Sequence, residues 1–216
     1  MSVALDAGFA LRRSGGELRL VCAADAHGAS LEVADVQRRL RQGRRLALAK
    51  ACGAGRERIR VLDAMAGFGL DGITLACLGC DVVMVERNAL LAELLVDAIA
   101  RVSAVIDVAG SIEVRCGDAR DVLAEARPFD SIYFDPMFPE RDKTALPRRS
   151  AQLLAQLVGR ADDDLPEYVA AALPLATRRV VVKRRRLDPA ATDADWQIVA
   201  RSVRFDVYRG RAPART

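Results

Sequence analysis

An aspartate before a glycine-rich turn, and a second aspartate set between a strand and two prolines, are the residues of this chain best placed to do chemistry. The first lies in Val61-Leu-Asp-Ala-Met-Ala-Gly-Phe-Gly-Leu-Asp-Gly72. Gly67, Gly69 and Gly72 have the G-x-G-x-x-G spacing of a strand-to-helix turn. Its glycines allow close backbone approach, and its helix N-terminus attracts an anionic group. A dinucleotide would suit the same turn. Asp63 shifts the reading, because a carboxylate at the end of the strand repels a pyrophosphate and attracts an ammonium. S-adenosylmethionine carries an ammonium and a carboxylate on its methionine moiety, and an acid followed by a glycine turn suits that zwitterion. Glu86 closes the next strand, near the spacing of a carboxylate that grips ribose hydroxyls. Asp118 follows a third strand and is placed to face an adenine edge. All three acids fall at strand carboxyl ends, where open α/β sheets bind ligands.

The second aspartate opens Asp135-Pro-Met-Phe-Pro139. Two prolines and an aspartate are ordinary turn chemistry, but the segment also suits methylation of an exocyclic nucleobase amine. Such an amine shares its lone pair with the ring and is a poor nucleophile. An acceptor such as Asp135, helped by backbone carbonyls of a turn stiffened by Pro136 and Pro139, can bind its N–H groups and favour the geometry of attack. Phe138 can stack on an extruded base. The basic loop Glu140–Arg149 and the run Lys183-Arg-Arg-Arg186 fall at the same sheet edge. With the arginines between Arg38 and Arg45 they outline a phosphate-holding surface, unless these runs are simply solvated faces.

Composition narrows the alternatives. The chain has 216 residues, 51% hydrophobic and 29% charged, enough for one α/β domain and too few for two full ones. A single histidine, His27, leaves little from which to build a Ser-His-Asp triad or a multi-histidine metal site, and no metal is expected. Thirty of the 33 basic residues are arginine, the net charge is +4 and the sequence pI is about 9.0. That balance points to a polyanionic partner, although a coding bias towards arginine would produce it too. The five cysteines include Cys77-x-x-Cys80 at the end of an apolar helical pattern, which reads as buried thiols. No apolar stretch approaches a membrane span, and the charged start argues against export, so a cytoplasmic protein is expected.

These residues need a particular frame. Leu18–Cys22 alternates as one strand, and Leu31–Cys52 is helical and basic, interrupted at Gly43 and stopped at Gly53. From Ile59 the pattern predicts strands over Ile59–Ala64, Val82–Glu86, Ile112–Cys116, Ser131–Phe134 and Arg179–Lys183. Helices are predicted over Leu70–Leu78, Ala89–Ser103, Ala119–Ala126, Ser150–Gly159 and Pro166–Ala176. Gln197–Ser202 and Phe205–Tyr208 would close the chain as a hairpin. Strands spaced by helices imply a mostly parallel, doubly wound sheet with an antiparallel C-terminal edge. Residues 1–55 form a short N-terminal strand and basic helical segment, and residues 56–216 the Rossmann-like domain.

Val61–Gly69, Leu78-Gly-Cys80, Glu86-Arg87, Asp135-Pro-Met-Phe-Pro139, Lys143-Thr-Ala-Leu146, Val180-Val-Val-Lys-Arg184 and Arg204-Phe-Asp-Val-Tyr208 together resemble the ribosomal RNA small subunit methyltransferase J family. The resemblance covers roughly residues 56–210. It implies a class I, Rossmann-like, S-adenosylmethionine-dependent enzyme that methylates the N2 amine of one guanine in bacterial 16S rRNA, with naked rRNA or the small ribosomal subunit as partner. It also implies cofactor contacts at Leu70, Asp71, Glu86, Arg87, Asp118, Ala119 and Asp135, beside Asp63, Gly67 and Gly69 from the residue reading. Asp135, Pro136, Phe138 and Lys143 would form the catalytic end, with Asp135 and Phe138 positioning the base; Lys143 with Arg148 and Arg149 would hold the RNA backbone, and Lys183 and Arg184 would also contact the RNA. The front of the chain is shorter than the family usually has, and Gln37–Arg45 is arginine-rich where the family has a glycine-rich basic segment. Three rivals remain at this stage: an amine methyltransferase acting on DNA or a small molecule, a dinucleotide oxidoreductase, and a non-catalytic RNA-binding protein.

Overall fold

The structure is a computed structural model and describes residues 8–125, 128–136, 149–158 and 164–213. It opens with three antiparallel strands, β1 (Phe9–Ser14), β2 (Glu17–Cys22) and β3 (Asp25–Ala29), where the sequence pattern predicts one. The outer strands were hidden because Arg12, Arg13 and the Asp25–His27 stretch face solvent and break the apolar alternation. The signal that would have found the hairpin is Gly15-Gly16, a two-residue turn between Ser14 and its partner Glu17. Phe9, Leu18 and Leu20 of this small sheet pack on Leu90, Leu91 and Leu94. Asp97, one turn further along the same helix, accepts hydrogen bonds from Leu18 N and Arg13.

The basic stretch forms α1 (Val33–Leu40), a 3-10 turn at Gly43–Arg45 and α2 (Ala47–Cys52), which ends at Gly53. Both helices belong to the main core: Val36, Leu48, Ala51 and Cys52 are buried with Ile59, Val61 and Ile73. Then β4 (Arg60–Asp63), α3 (Leu70–Cys77), β5 (Asp81–Glu86), α4 (Ala89–Ser103), β6 (Ser111–Cys116), α5 (Ala119–Glu125) and β7 (Phe129–Phe134) alternate as expected. Asn88 caps α4, its side-chain oxygen accepting from Leu90 N and Leu91 N. After α6 (Arg149–Val158) and α7 (Leu165–Ala172) come β8 (Ala176–Arg185), β9 (Trp196–Val199) and β10 (Val203–Arg209).

The seven-stranded sheet has the order β6-β5-β4-β7-β8-β10-β9, with β10 antiparallel to both of its neighbours and β4 to β8 parallel. The chain winds outwards from β4 to β6 and returns to place β7 on the other side of β4. This reversal opens a crevice at the carboxyl ends of β4 and β7, the usual ligand position in such sheets. Asp63 ends β4 and Asp135 follows β7, so the fold brings the two aspartates singled out in the sequence to the same crevice.

Candidate active site

Local sequence fixes the glycine turn. Gly69 caps α3 with φ +84°, a region that side-chain-bearing residues rarely adopt, and a Cβ there would stand 2.5 Å from Leu95 Cδ2. Gly72 is held by contact instead: a Cβ would stand 2.7 Å from Asp63 Oδ2 and 3.0 Å from Met84 Sδ. Asp63 can therefore sit behind the first turn of α3, 1% exposed. Its Oδ1 has no hydrogen-bond partner among the described residues. Burial, with Asp71 and Asp135 nearby, lifts its carboxyl well above the usual aspartate value.

Two adjoining cavities flank this turn and share Met65, Gly67, Asp135, Pro136 and Leu154 as walls. The smaller, ≈ 70 Å³, is lined by Val85, Glu86, Arg87, Asp118, Ala119 and Tyr168 among others. The larger, ≈ 430 Å³, has Asp63, Gly69, Leu70, Asp71, Arg39 and Lys183 in its wall. The buried Glu86 carboxylate ties the turn to β5: its Oε2 accepts from Gly67 N at 2.9 Å and its Oε1 from Asn88 N at 2.8 Å. Burial raises its pKa, and the two backbone bonds work against that rise. Asp118 Oδ1 accepts from Arg120 N at 2.8 Å and from the Tyr168 hydroxyl at 3.2 Å.

Asp71 and Lys183 have places that the sequence does not reveal. The Asp71 carboxylate is taken up by protein groups: Arg39 from α1, the Tyr133 hydroxyl at 2.5 Å and Lys183 Nζ at 2.9 Å. Its pKa is lowered, with Lys183 and Arg39 overcoming burial. Lys183, expected on an RNA-facing surface, instead places its ammonium between Asp71 and Asp135, 2.7 Å from Asp135 Oδ2. The cause is strand register. Phe134 pairs with Val182, so the next residues, Asp135 and Lys183, emerge side by side on the face covered by α3. Burial opposes the Lys183 charge, but the two carboxylates outweigh it and hold its pKa above the ordinary lysine value. Burial lifts the Asp135 carboxyl, Lys183 pulls against that rise, and Asp71 adds to it.

Arg184 points to the other face of β8 and is 8% exposed, so it too is not on an open surface. Phe138, Lys143 and Arg148 lie outside the described residues, and Arg149 is the first residue of α6. Arg39, expected with its neighbours on a phosphate-holding surface, is turned inward onto Asp71 instead, and Tyr133 reads in the sequence only as a core residue of β7. Cys77 and Cys80 are thiols raised to about 11 by burial. Among the described residues no group of three or more His, Cys, Asp or Glu side chains could hold a metal ion.

The crevice suits a cationic amino-acid head group. Arg39 and Lys183 are both taken up by the Asp71 and Asp135 carboxylates, so neither cation is left over for an anionic ligand beside Asp63. One buried acceptor, Asp63 Oδ1, is still unsatisfied. A pyrophosphate would add charge of the same sign; an ammonium would supply the missing donor. Sheet order and crevice together define the Rossmann-like fold of class I S-adenosylmethionine-dependent methyltransferases.

A family model described as "Putative SAM-dependent methyltransferase" matches residues 14–210, and the chain belongs to that family. It is 45% identical over 170 residues to the ribosomal RNA small subunit methyltransferase J of Thioalkalivibrio sulfidiphilus, a match covering 74% of this chain and 66% of that protein. A protein of the same name from Pseudomonas fluorescens is 42% identical over 76% of this chain and 66% of its own length. The chain thus matches just under two thirds of the length of these curated relatives. The crystal structure of a SAM-dependent methyltransferase from Neisseria gonorrhoeae superposes with a TM-score of 0.71 at 27% identity, covering 97% of this chain and 86% of that one. Among the described residues no helix is long and apolar enough to cross a membrane.

Proposed function

We propose that this chain methylates the exocyclic N2 amine of a guanine in small-subunit (16S) rRNA, in the cytoplasm. The observation that carries the reading is the position of Asp135. It directly follows β7 where the two cavities meet, with Oδ2 bound to Lys183 and Oδ1 without a hydrogen-bond partner among the described residues. The names of the relatives supply the substrate class.

S-adenosylmethionine, when bound, supplies a methyl group on a positively charged sulfur. Asp63 would hold its ammonium, Glu86 and Arg87 would face its ribose, and Asp118 and Ala119 would face its adenine. Asp135 Oδ1 accepts one N–H of the substrate amine and turns the nitrogen lone pair out of conjugation with the ring. As the new N–C bond forms at the expense of the donor's sulfur–methyl bond, whose electron pair stays on sulfur, the nitrogen becomes strongly acidic, so even a weakly basic carboxylate can take its proton. Pro136 restricts the backbone beside Asp135 and lowers the entropy cost of alignment. In this reading Phe138 stacks on the base, and Lys143, Arg148 and Arg149 hold the RNA backbone. The exposed Arg38, Arg41, Arg44 and Arg45 extend the basic surface along the N-terminal segment.

The test is labelled methyl transfer offered in parallel to 16S rRNA, small subunits, duplex DNA and small amines, followed by nucleotide-resolved mapping of the mark. Asp135→Ala should leave S-adenosylmethionine affinity modestly changed and lower transfer by about two to four orders of magnitude. Transfer confined to DNA or a small amine, or near-normal turnover by Asp135→Ala, contradicts the reading.

A further inference from the structure

We infer that Lys183 is a positioning residue for this reaction: it commits one oxygen of Asp135 and leaves the other, ionised, to receive the substrate amine. The inference rests on the proposed methyl transfer and adds a role for a lysine that no contact with the RNA backbone explains.

The geometry has four links. Lys183 Nζ donates to Asp135 Oδ2 at 2.7 Å and to Asp71 Oδ2 at 2.9 Å. Asp71 is itself fixed from two other elements, by Arg39 on α1 and by the Tyr133 hydroxyl on β7. The ammonium is therefore held on a carboxylate that cannot easily turn away, and Asp135 is held on the ammonium. Asp135 gains an orientation its own short side chain does not supply, because the described residues offer it no other hydrogen bond.

Charge gives the second reason. The groups facing Asp135 are Lys183 from β8, Asp71 from α3, Arg39 from α1, Asp63 from β4 and the buried Tyr133 hydroxyl from β7. Two of these are carboxylates, which favour a protonated Asp135 and with it loss of the acceptor. Arg39 is bonded to Asp71, which leaves Lys183 as the cation in direct contact with Asp135 among the described residues. An opposite charge at such range typically lowers a carboxyl pKa by about one to three units. A compact ammonium also suits the place better than a planar guanidinium, since its donors can point at two carboxylates on different elements. In a chain with thirty arginines, the cation here is one of three lysines.

The experiment compares the full-length wild type with Lys183→Gln and Lys183→Arg, measuring kcat against pH with 16S rRNA and S-adenosylmethionine affinity by calorimetry. Lys183→Gln should keep cofactor affinity within about threefold and lose about 10–100-fold in kcat at pH 7. Its acid limb should move up by about one to three pH units, so that activity recovers towards pH 9. Lys183→Arg should bring the limb back towards its wild-type position. An equal loss at every pH in Lys183→Gln indicates a merely structural role and overturns the inference, as does a normal kcat. Should neither variant fold, carboxyl 13C resonances of the unmodified chain decide it: an Asp135 signal that stays ionised at neutral pH supports the inference, and one that titrates there overturns it. A wild type inactive on every RNA sinks the proposed function itself, whereas an active wild type with an unshifted Lys183→Gln profile sinks the role of Lys183 alone.

Discussion

Replacing Asp63 with asparagine separates what this carboxylate costs the fold from what it gives the site. The side chain is buried with one oxygen unpartnered, and burial, Asp71 and Asp135 lift its carboxyl well above the usual aspartate value. An unfolded aspartate titrates near ~3.9, so above that pH the unfolded chain releases this proton before the folded chain does. The contribution of Asp63 to stability is thus fully present below about pH 3.9 and is lost as pH rises through the folded value, at about 1.4 kcal/mol per pH unit. In a chain of this size 1 kcal/mol moves Tm by about 2–4 °C. Asp63→Asn should therefore gain about 3–5 °C over wild type for each pH unit above about 4.5, until the difference levels off at the folded pKa. The site loses in exchange. S-adenosylmethionine at about 100 times the wild-type Kd should stabilise wild type by about 2.7 kcal/mol. A tenfold weaker Kd in the variant, the result of losing one charged contact, leaves about 1.4 kcal/mol. Scanning calorimetry from pH 4.5 to 8, with and without cofactor, measures both effects. Parallel Tm–pH curves, or equal cofactor-induced shifts, refute the reasoning.

Other expectations follow from the same contacts. Glu86→Gln replaces one of two charged acceptors of backbone N–H groups with an amide and should weaken cofactor binding by about 10–100-fold in calorimetry, with unchanged affinity as the contrary result. Gly69→Ala combines a left-handed backbone with a close approach to Leu95; it should lower stability by about 2 kcal/mol or more in urea unfolding, and a midpoint equal to wild type would count against that packing. Removing the exposed Arg44 and Arg45 together should weaken rRNA binding and make the log Kd–log salt slope shallower by about one to two units, while leaving S-adenosylmethionine affinity as it was; an unaltered slope would place the RNA elsewhere.

Most of the sheet was legible in the sequence because its signals are short-ranged. Apolar runs bounded by glycine and proline give β4 to β8, and the 15-residue apolar periodicity that follows Asn88 gives α4 with its bounds unchanged. Asp63, Glu86 and Asp135 were found because each closes such a run, and a strand end is a local property. The N-terminal sheet was only a third visible, since two of its strands carry arginine and other polar residues on exposed faces and so lack the alternation that marks a half-buried strand.

By itself, then, the sequence determined the alternating fold, the glycine turn and which carboxylates stand at its crevice. Only the tertiary structure decided how those carboxylates are balanced. Lys183 and Asp71 lie 112 residues apart and meet because the register of β7 on β8 sets Lys183 beside Asp135 while α3 lowers Asp71 onto both. Arg39 joins them because α1 packs on α3, and Tyr133 because its position in β7 turns its hydroxyl to the same face. A local pattern can tell a buried strand from an exposed helix. It holds no information on which charges will be neighbours, because that depends on pairing between distant segments, where a slip of one residue would turn Lys183 to the opposite face of the sheet.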